Sequence, residues 1–485
     1  MRRAGARLAD TLAADLGLRG SCRARKHRGL PGGTPGRSVL GMSPTARNGL
    51  PAGPKLPAAL QLVLMMRWWP QFVAACRRRH GKIFTLRNTM MGEMVYLADP
   101  DVIKTVFAGD PRIFHAGEAN SMLVGLLGDS SVLVIDDDVH RERRRLMMAP
   151  FHRDAVARQA ELMAEIAAQN IAGWPVGEPF PVAPKTSEIT LEVILRTVIG
   201  ASDPVRLAAL RDVMPRLLSV GPWESLAIAM PSLQGRLPWR RLARNTAEAD
   251  RLLYAEIAER RADPNIADRT DALAMLVQAG GMSDKELRDQ LITLLVAGHD
   301  TTATGLAWAL ERLTRHPAIL AKAVAAAEAG DAAGDEYLDA VAKETLRIRP
   351  VVPDVGRVLK EPVEVAGYRL PAGVMVVPSI TSVHADPNVY PDPDTFDPDR
   401  MVGASLSPTT WFPFGGGNRR CLGAGFAMVE MRIVLREILR RVELAATSEP
   451  GEKTRLKHVI MTPQRGGQIT VRAVKKVAPE VVAHY

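Results

Sequence analysis

The sequence predicts a mainly α-helical protein with one long central helix and a few small β-sheets. Of its 485 residues, 47% are hydrophobic but only 5% are aromatic, and this balance favours helices over an all-β fold. The longest apolar repeat with helical spacing runs from Ser283 to about His316, whereas the alternating patterns typical of strands are short. Because the sequence contains no internal repeat and no interior linker, we expect a single large domain.

The first 49 residues differ from the rest of the chain. Residues 1–41 contain nine Lys and Arg against Asp10 and Asp15, a net charge of +7, while the whole chain carries +10. Such a tail is typical of a disordered extension, or of sequence upstream of a start at Met42. An arm that binds nucleic acid or an acidic membrane is the alternative. We divide the chain into a basic extension, residues 1–49, and a domain over residues 50–485 that begins at a Pro-rich segment, and we expect no nucleic-acid partner.

Cysteine usage and hydropathy limit the compartment. Cys22, Cys76 and Cys421 are too few for a disulfide framework, which favours a reducing cytoplasm. No segment reaches the ~18 uninterrupted apolar residues of a membrane-spanning helix. The apolar stretch Leu60–Trp69 is predicted at the edge of the core, and at most on a membrane surface.

The secondary structure elements can be predicted in order. They are a helix near residues 58–80, a hairpin formed by Lys82–Arg87 and Met94–Leu97, a helix capped by Asp99, helices through residues 140–260, the long helix, and strands within residues 363–378. Ser283 and Glu286 have the spacing of a capping box at the start of the long helix, and Pro317 ends it.

Cys421 lies in a glycine-rich loop, Phe414–Gly423, directly before a stretch that opens a helix. Glycines such as Gly415 let a backbone approach a flat ligand closely. The helix N-terminus, Arg419 and Arg420 should lower the pKa of the thiol. A thiolate on such a platform suits ligation of haem iron; a buried structural thiol is the alternative.

Weak helix formers occupy the middle of the long helix, at Ala297–Thr302. Residues with low helix propensity inside a helix are common at functional sites. Small residues at 297 and 298 would open a groove for a flat ligand, and the hydroxyl of Thr301 can bond to the carbonyl four residues earlier. Asp300 can supply protons there; a helix kink with a buried polar network is the alternative.

Two further groups of charged residues carry predictions. Glu344 and Arg347 share a helical face, and with Arg400 they would form a buried structural lock that is costly to break. Separately, four basic side chains could neutralise the carboxylates of a bound ring; these are His140, Arg144, Arg357 and Arg419.

Together these motifs resemble those of cytochrome P-450, the haem-thiolate monooxygenase family, over residues 50–470, and the sequence is most similar to mycobacterial and other actinobacterial members. The resemblance implies one P-450-type domain that binds haem b, with Cys421 as the axial ligand. The loop residues Phe414, Gly415, Arg419 and Gly423, together with Ala297, would contact the haem. His140 and Arg144 match the helix that pairs with a propionate, and Asp300 and Thr301 match the stretch that activates oxygen.

The resemblance implies a monomeric enzyme that inserts one atom of O₂ into a hydrophobic substrate. No segment is left over for a flavin or iron–sulfur domain, so electrons would arrive from an acidic ferredoxin with its reductase. This partner would dock on a basic face formed by Arg143, Arg145, Arg419, Arg420, Arg432 and Arg436. A peroxide-driven or rearranging haem-thiolate enzyme, a haem-based sensor or carrier, and a structural helical protein are the alternatives.

Overall fold

The protein is described by a computed structural model over residues 47–201, 203–218 and 240–475. Most of the predicted basic extension, residues 1–46, lies outside these ranges, so its predicted role stays a prediction. Within the described ranges, no helix is both long enough and apolar enough to cross a membrane.

Helices dominate the described part of the chain, as predicted. The α-helices there are α1 (Ala58–His80), α2 (Pro100–Ala108), α3 (Ala116–Ala119), α4 (Val124–Leu127), α5 (Asp137–Met148), α6 (Arg153–Ala157), α7 (Ala160–Ile171), α8 (Ala183–Ile194), α9 (Pro204–Leu218), α10 (Arg240–Ala262), α11 (Ala272–Ala279), α12 (Asp284–Arg315), α13 (Pro317–Ala329), α14 (Ala332–Ile348), α15 (Ile380–His384) and α16 (Ala424–Arg441). A π-helical turn, Leu195–Ile199, continues α8.

The strands are short and form small sheets. They are β1 (Arg47–Asn48), β2 (Ile83–Asn88), β3 (Gly92–Leu97), β4 (Phe114–His115), β5 (Pro179–Pro181), β6 (Arg357–Leu359), β7 (Val363–Val365), β8 (Tyr368–Leu370), β9 (Met375–Pro378), β10 (Val442–Ala446), β11 (Thr454–Lys457), β12 (Ile460–Pro463) and β13 (Gln468–Val474). The largest sheet has the order β2-β3-β9-β6-β4; the others are β1-β8-β7, β10-β13-β5 and the hairpin β11-β12.

The N-terminal elements follow the sequence prediction closely. Helix α1 spans the predicted residues but bends at Trp68, which leaves helical geometry two residues before Pro70. The predicted hairpin forms as β2 and β3 with Phe84 opposite Tyr96. The carboxylate of Asp99 accepts the N–H groups of Asp101 and Val102 and so caps α2.

Helix α12 connects two hydrophobic cores. Its capping box is present, since Ser283 and Glu286 bond reciprocally, and the helix ends directly before Pro317. Leu287–Leu295 packs with the core formed by α8–α11, and Leu306–Leu313 packs with a second core that includes α7, α14 and α16. At ~1.5 Å per residue, its 32 residues span about 50 Å. The segment between the two cores is where the candidate site lies.

Candidate functional site

The middle of α12 is accessible in a helix that is otherwise buried. Between Leu287 and Leu310, every residue is buried except Val296, Ala297, Gly298, Asp300 and Thr301. Because these residues lie between the two hydrophobic cores that α12 joins, we infer that the exposed surface belongs to an opening in the interior of the domain. The sequence prediction placed a functional groove at this segment, and the structure puts accessible surface there.

The threonines of this segment bond back to the helix, as the sequence suggested. The hydroxyl of Thr301 donates to the carbonyl of Ala297 at 2.7 Å, and that of Thr302 donates to Gly298 at 3.0 Å. Thr302 is buried, whereas Thr301 lies at the opening. Such bonds loosen the local ladder of a helix, so Thr301 combines an accessible hydroxyl with an adaptable backbone.

Gly298 does not open the groove, contrary to our expectation. A Cβ at this position would lie 2.4 Å from Cδ1 of Ile194, so the glycine permits close packing of α12 against α8. The side of the helix that faces the opening is formed by Ala297 and Thr301 instead.

Asp300 has a partner that the sequence analysis missed. Its carboxylate lies 3.3 Å from the ammonium of Lys457 at the end of β11, and its side chain is 25% exposed. No motif links these two residues, since 157 positions separate them. The ion pair fixes the candidate proton donor of α12 against the hairpin β11–β12.

The Cys421 loop is built from tight backbone turns. The N–H of Cys421 donates to the carbonyl of Phe414 at 2.9 Å, and the N–H of Gly415 donates to that of Phe412 at 2.9 Å. Gly415 has a φ of +68°, a conformation that favours glycine. Gly423 is the N-cap residue of α16, and residue Cys421 is exposed.

Two of the loop glycines serve packing rather than access for a ligand. A Cβ on Gly416 would lie 2.2 Å from the ring of Phe107, and one on Gly417 would lie 2.3 Å from the Phe107 carbonyl oxygen. The expectation that these glycines admit a flat ligand is therefore wrong; they admit α2. By contrast, Cβ atoms on Gly423 and Gly425 would meet at most light contact.

The predicted depression of the thiol pKa is also wrong. Although residue Cys421 is exposed, desolvation by the surrounding protein raises the pKa of its thiol, while the N–H of Gly423, Arg144 and Arg420 act to lower it. Arg419 is not among the groups that lower it, and its guanidinium forms an ion pair with Asp136. The loop thus supplies groups that favour a thiolate, but a bound cation is needed to offset its desolvation.

His140 and Arg144 lie on α5 as predicted. His140 is buried, and burial with the nearby Arg419 and Arg144 lowers its pKa to about 3. It is therefore a neutral imidazole that can donate one hydrogen bond but carries no charge to a carboxylate. Arg144 donates to the carbonyl of Arg420 at 2.7 Å and is close enough to interact electrostatically with Cys421.

Arg357 and Arg419 differ in whether an acidic side chain already pairs with the guanidinium. Arg419 forms an ion pair with Asp136 and donates to the carbonyl of Ile135 at 2.7 Å. Arg357 is buried and donates to the carbonyls of Gly356 at 2.7 Å and Gly416 at 3.4 Å, with no salt bridge to a described acidic residue. Burial lowers the pKa of Arg357 to about 10. The guanidinium that most needs an anionic partner is thus Arg357.

The structure brings Glu344, Arg347 and Arg400 together. The guanidinium of Arg347 donates to both carboxylate oxygens of Glu344 at 2.7 Å, with both side chains fully buried. Arg400 approaches the same carboxylate at 3.3 Å. Arg347 also donates to the carbonyls of His384, Pro393 and Thr395. The arrangement has the contacts of a structural lock, and its energetic role stays a prediction.

The residues present fit a haem with a thiolate ligand. An exposed cysteine follows a rigid turn, a buried Arg357 lacks a carboxylate among the described residues, and an accessible Ala297 interrupts a buried helix. Leu422 and Val296, the neighbours of Cys421 and Ala297, pack against the same core. A thiol, a cation and an apolar helix face are the groups that iron, a propionate and a porphyrin plane require.

Comparison with known proteins decides the family. The family model described as Cytochrome P450 matches residues 51–471. The chain belongs to the cytochrome P450 family. It is 72% identical to proteins named cytochrome P450 135B1 from Mycobacterium tuberculosis and Mycobacterium bovis, over 90% of this chain and 94% of theirs. Cytochrome P450 135A1 of Mycobacterium tuberculosis is 39% identical over 88% of this chain and 96% of its own.

The fold has a solved counterpart. Retinoic acid-bound cyanobacterial CYP120A1 superposes with a TM-score of 0.76 at 23% identity, covering 88% of this chain and all of that one. This confirms the predicted cytochrome P450 fold. As a member of the family, the protein is a haem-thiolate protein that binds haem b, and its mycobacterial likeness is confirmed. The names of the curated relatives give no substrate.

Proposed function

We propose that this cytochrome P450 inserts one atom of dioxygen into a hydrophobic small molecule. The observation that carries the proposal is the accessible Asp300–Thr301 segment at the centre of α12, beside the core that Leu422 also contacts. A proton donor and a hydroxyl in an interior opening suit a reaction that consumes protons, whereas rearrangement chemistry has no need of them.

Each of the chain's residues has a distinct task in this proposal. Haem, when bound, supplies the iron at which dioxygen is reduced. Cys421 would hold that iron. Arg144, Arg357, Arg419 and neutral His140 would pair with the haem carboxylates, and Phe414, Gly415, Gly423 and Ala297 would contact the ring. Arg144 and Arg357 form no salt bridge with a described acidic residue, and of these two Arg357 is the buried one.

Thr301 and Asp300 deliver the protons that the reaction consumes. The Thr301 hydroxyl can release its bond to the Ala297 carbonyl, 2.7 Å away, and donate into the opening. Asp300 is held by Lys457 at 3.3 Å, where it can replenish the proton from the hairpin side. This division gives a role to the two accessible polar side chains in the middle of a helix that is otherwise buried.

The substrate class follows from the walls that the family resemblance assigns. These are residues 122–127, 294–297, 351–355 and 460–461, which are nearly all apolar. Such a lining suits a lipid, sterol, terpenoid or similar apolar molecule.

Electrons are proposed to come from a separate protein, an acidic ferredoxin reduced by its own reductase. The family match covers residues 51–471, and the described residues in this range form the helices and small sheets of a P450 fold. A monomer in the cytoplasm, as the cysteine usage predicts, completes the proposal.

Isotope labelling tests the proposal. The reconstituted protein with ferredoxin and reductase should first be screened for spectral binding of lipids, steroids and terpenoids. Turnover of a bound compound under ¹⁸O₂ should then place one labelled atom in the product. Product that carries no label, or that forms only when peroxide replaces oxygen and electrons, would contradict the proposal.

A further inference from the structure

Asp354 is an acidic residue in the segment Val351–Val355, which connects α14 to β6. One end of this segment is tied to the hairpin β11–β12, since the N–H of Met461 donates to the Val351 carbonyl at 2.7 Å. At the other end, Cγ1 of Val355 lies 3.6 Å from where a Cβ on Gly415 would stand. The segment therefore runs along the opening, from the hairpin that holds Asp300 to the loop of Cys421.

The carboxylate of Asp354 is held in one orientation. Its Oδ1 accepts a hydrogen bond from the hydroxyl of Ser379 at 2.6 Å, and its Oδ2 accepts one from Nε1 of Trp69 at 3.1 Å. An isolated β-bridge between Asp354 and Ser379 fixes the backbone as well. With a donor on each oxygen, the carboxylate keeps one lone pair on each for another partner.

No positive charge balances Asp354 within the described residues. No described Lys, Arg or His forms a salt bridge with it. Tyr96 interacts electrostatically with Asp354, and Cys76 in turn interacts with Tyr96. Burial raises the pKa of both, that of Cys76 to about 12, so both are neutral near pH 7. Burial also raises the pKa of Asp354, to about 7, against the opposing effect of Ser379 and Trp69.

Part of Asp354 stays accessible even though protein surrounds it closely enough to raise its pKa. This combination is typical of a side chain that lines an interior opening. A buried carboxylate without a counter-charge is costly unless a ligand supplies one.

We propose that Asp354 selects substrates that carry a cationic ammonium group on an otherwise apolar body. This inference rests on the proposed function and names the polar end of its substrate. The ammonium would contact the free lone pairs of the carboxylate, while the apolar body would extend along the walls toward Ala297. The charge-assisted contact is favourable because the carboxylate is already oriented and poorly solvated.

Equilibrium binding to the haem-loaded protein tests this inference, with calorimetry and the substrate-induced spectral shift as readouts. The probes are decyltrimethylammonium, decanol and decanoate, which share a chain length and differ in the head group. A quaternary ammonium neither ligates iron nor titrates. We expect it to bind at least about tenfold more tightly than decanol at about pH 8, with decanoate weakest.

The pH dependence follows from the ionisation of Asp354. Because the carboxyl loses its proton through about pH 7, the affinity for the quaternary ammonium should rise from about pH 6 to about pH 8, while the affinity for decanol stays constant. Asp354→Asn should abolish both the preference and its pH dependence. Asp399→Asn is the matched control, because Lys322 already balances that exposed carboxylate at 2.7 Å, and it should retain both.

Retention of the cation preference in Asp354→Asn would overturn the inference, as would equal binding of decanol and decyltrimethylammonium by the wild type. If Asp354→Asn takes up haem poorly, the pH series of the wild type decides alone, and an affinity for the cation that does not change would overturn the inference. Failure of oxygen transfer to a bound amine would instead count against the proposed function.

Discussion

The imidazole of His384 connects the buried Arg347 to the loop that carries Cys421. Nδ1 of His384 lies 3.2 Å from the carbonyl oxygen of Arg347, and Nε2 accepts the N–H of Phe412 at 3.2 Å. These contacts assign the proton to Nδ1. The Phe412 carbonyl in turn accepts the N–H of Gly415, so the structural lock and the cysteine loop form one hydrogen-bonded unit.

Removal of Arg347 should therefore disturb both folding and haem binding. Arg347→Ala leaves Glu344 buried without its bidentate partner, a loss of about 3–5 kcal/mol, and we expect little soluble protein with haem. Arg400→Ala is the control: Arg400 is 16% exposed and approaches Glu344 only at 3.3 Å, so this variant should lose less. Urea unfolding and the haem-to-protein ratio measure both effects. A stable, haem-loaded but inactive Arg347→Ala protein would show that the pair is catalytic rather than structural.

His384 should make the protein sensitive to acid. Burial and Arg347 lower its pKa to about 3, below the ordinary value near 6.5, so a proton binds the unfolded chain preferentially. The stability from neutral His384 is complete above about pH 6.5 and is lost progressively as the pH falls toward about 3.

Comparison with His384→Gln isolates this contribution. The difference in unfolding free energy between the wild type and His384→Gln should shrink as the pH falls through this window, since other groups titrate in both proteins. A difference that is constant with pH would contradict the assignment of a neutral, buried imidazole.

A comparison of variants at two adjacent threonines can distinguish an effect on proton delivery from an effect on helix geometry. Thr301 and Thr302 make equivalent bonds to carbonyls four residues earlier, at 2.7 and 3.0 Å, but only Thr301 lies at the opening. Thr301→Ala should bind haem and substrate normally yet divert electrons into hydrogen peroxide, while Thr302→Ala should stay coupled. Peroxide formation per NAD(P)H consumed is the measurement. Equal coupling in Thr301→Ala and the wild type would remove Thr301 from the mechanism.

The predicted basic docking face is smaller than the sequence suggested. Arg143 pairs with Glu286, Arg419 with Asp136, and Arg432 and Arg436 with Asp335. Arg145 and Arg420 remain exposed and form no salt bridge with a described acidic residue.

The rate of reduction by an acidic ferredoxin should fall with ionic strength, because attraction between opposite charges is screened by salt. Arg145→Ala and Arg420→Ala should each weaken this dependence, whereas Arg432→Ala should change it little. Stopped-flow reduction across a salt series is the measurement. Rates that do not change from low to high salt would rule out electrostatic docking at this face.

Local patterns in the sequence predicted much of the fold. The capping box of Ser283 and Glu286, the Asp99 cap and the β2–β3 hairpin depend on neighbouring residues, and all form as predicted. The family motifs likewise predicted that Glu344, Arg347 and Arg400 would lie close together. The thiol pKa and the role of the loop glycines depend instead on burial and on the ring of Phe107, which no local pattern encodes.

The missed residues share one property: each acts through a contact distant in sequence. Lys457 reaches Asp300 across 157 positions, Asp136 reaches Arg419 across 283, and Asp354 reaches Trp69 across 285. The sequence offered one signal for Asp354, because it is the single charged residue in the apolar segment Val351–Val355. The tertiary contact was needed to interpret it.

The spectrum of the reduced carbon monoxide complex tests the central claim, ligation of haem iron by the Cys421 thiolate, most directly. Cys421→Ser should abolish the red-shifted Soret band that thiolate-bound haem produces. Cys76→Ser, which replaces a buried thiol with a pKa raised to about 12, should leave the band intact. An unchanged band in Cys421→Ser would contradict the account.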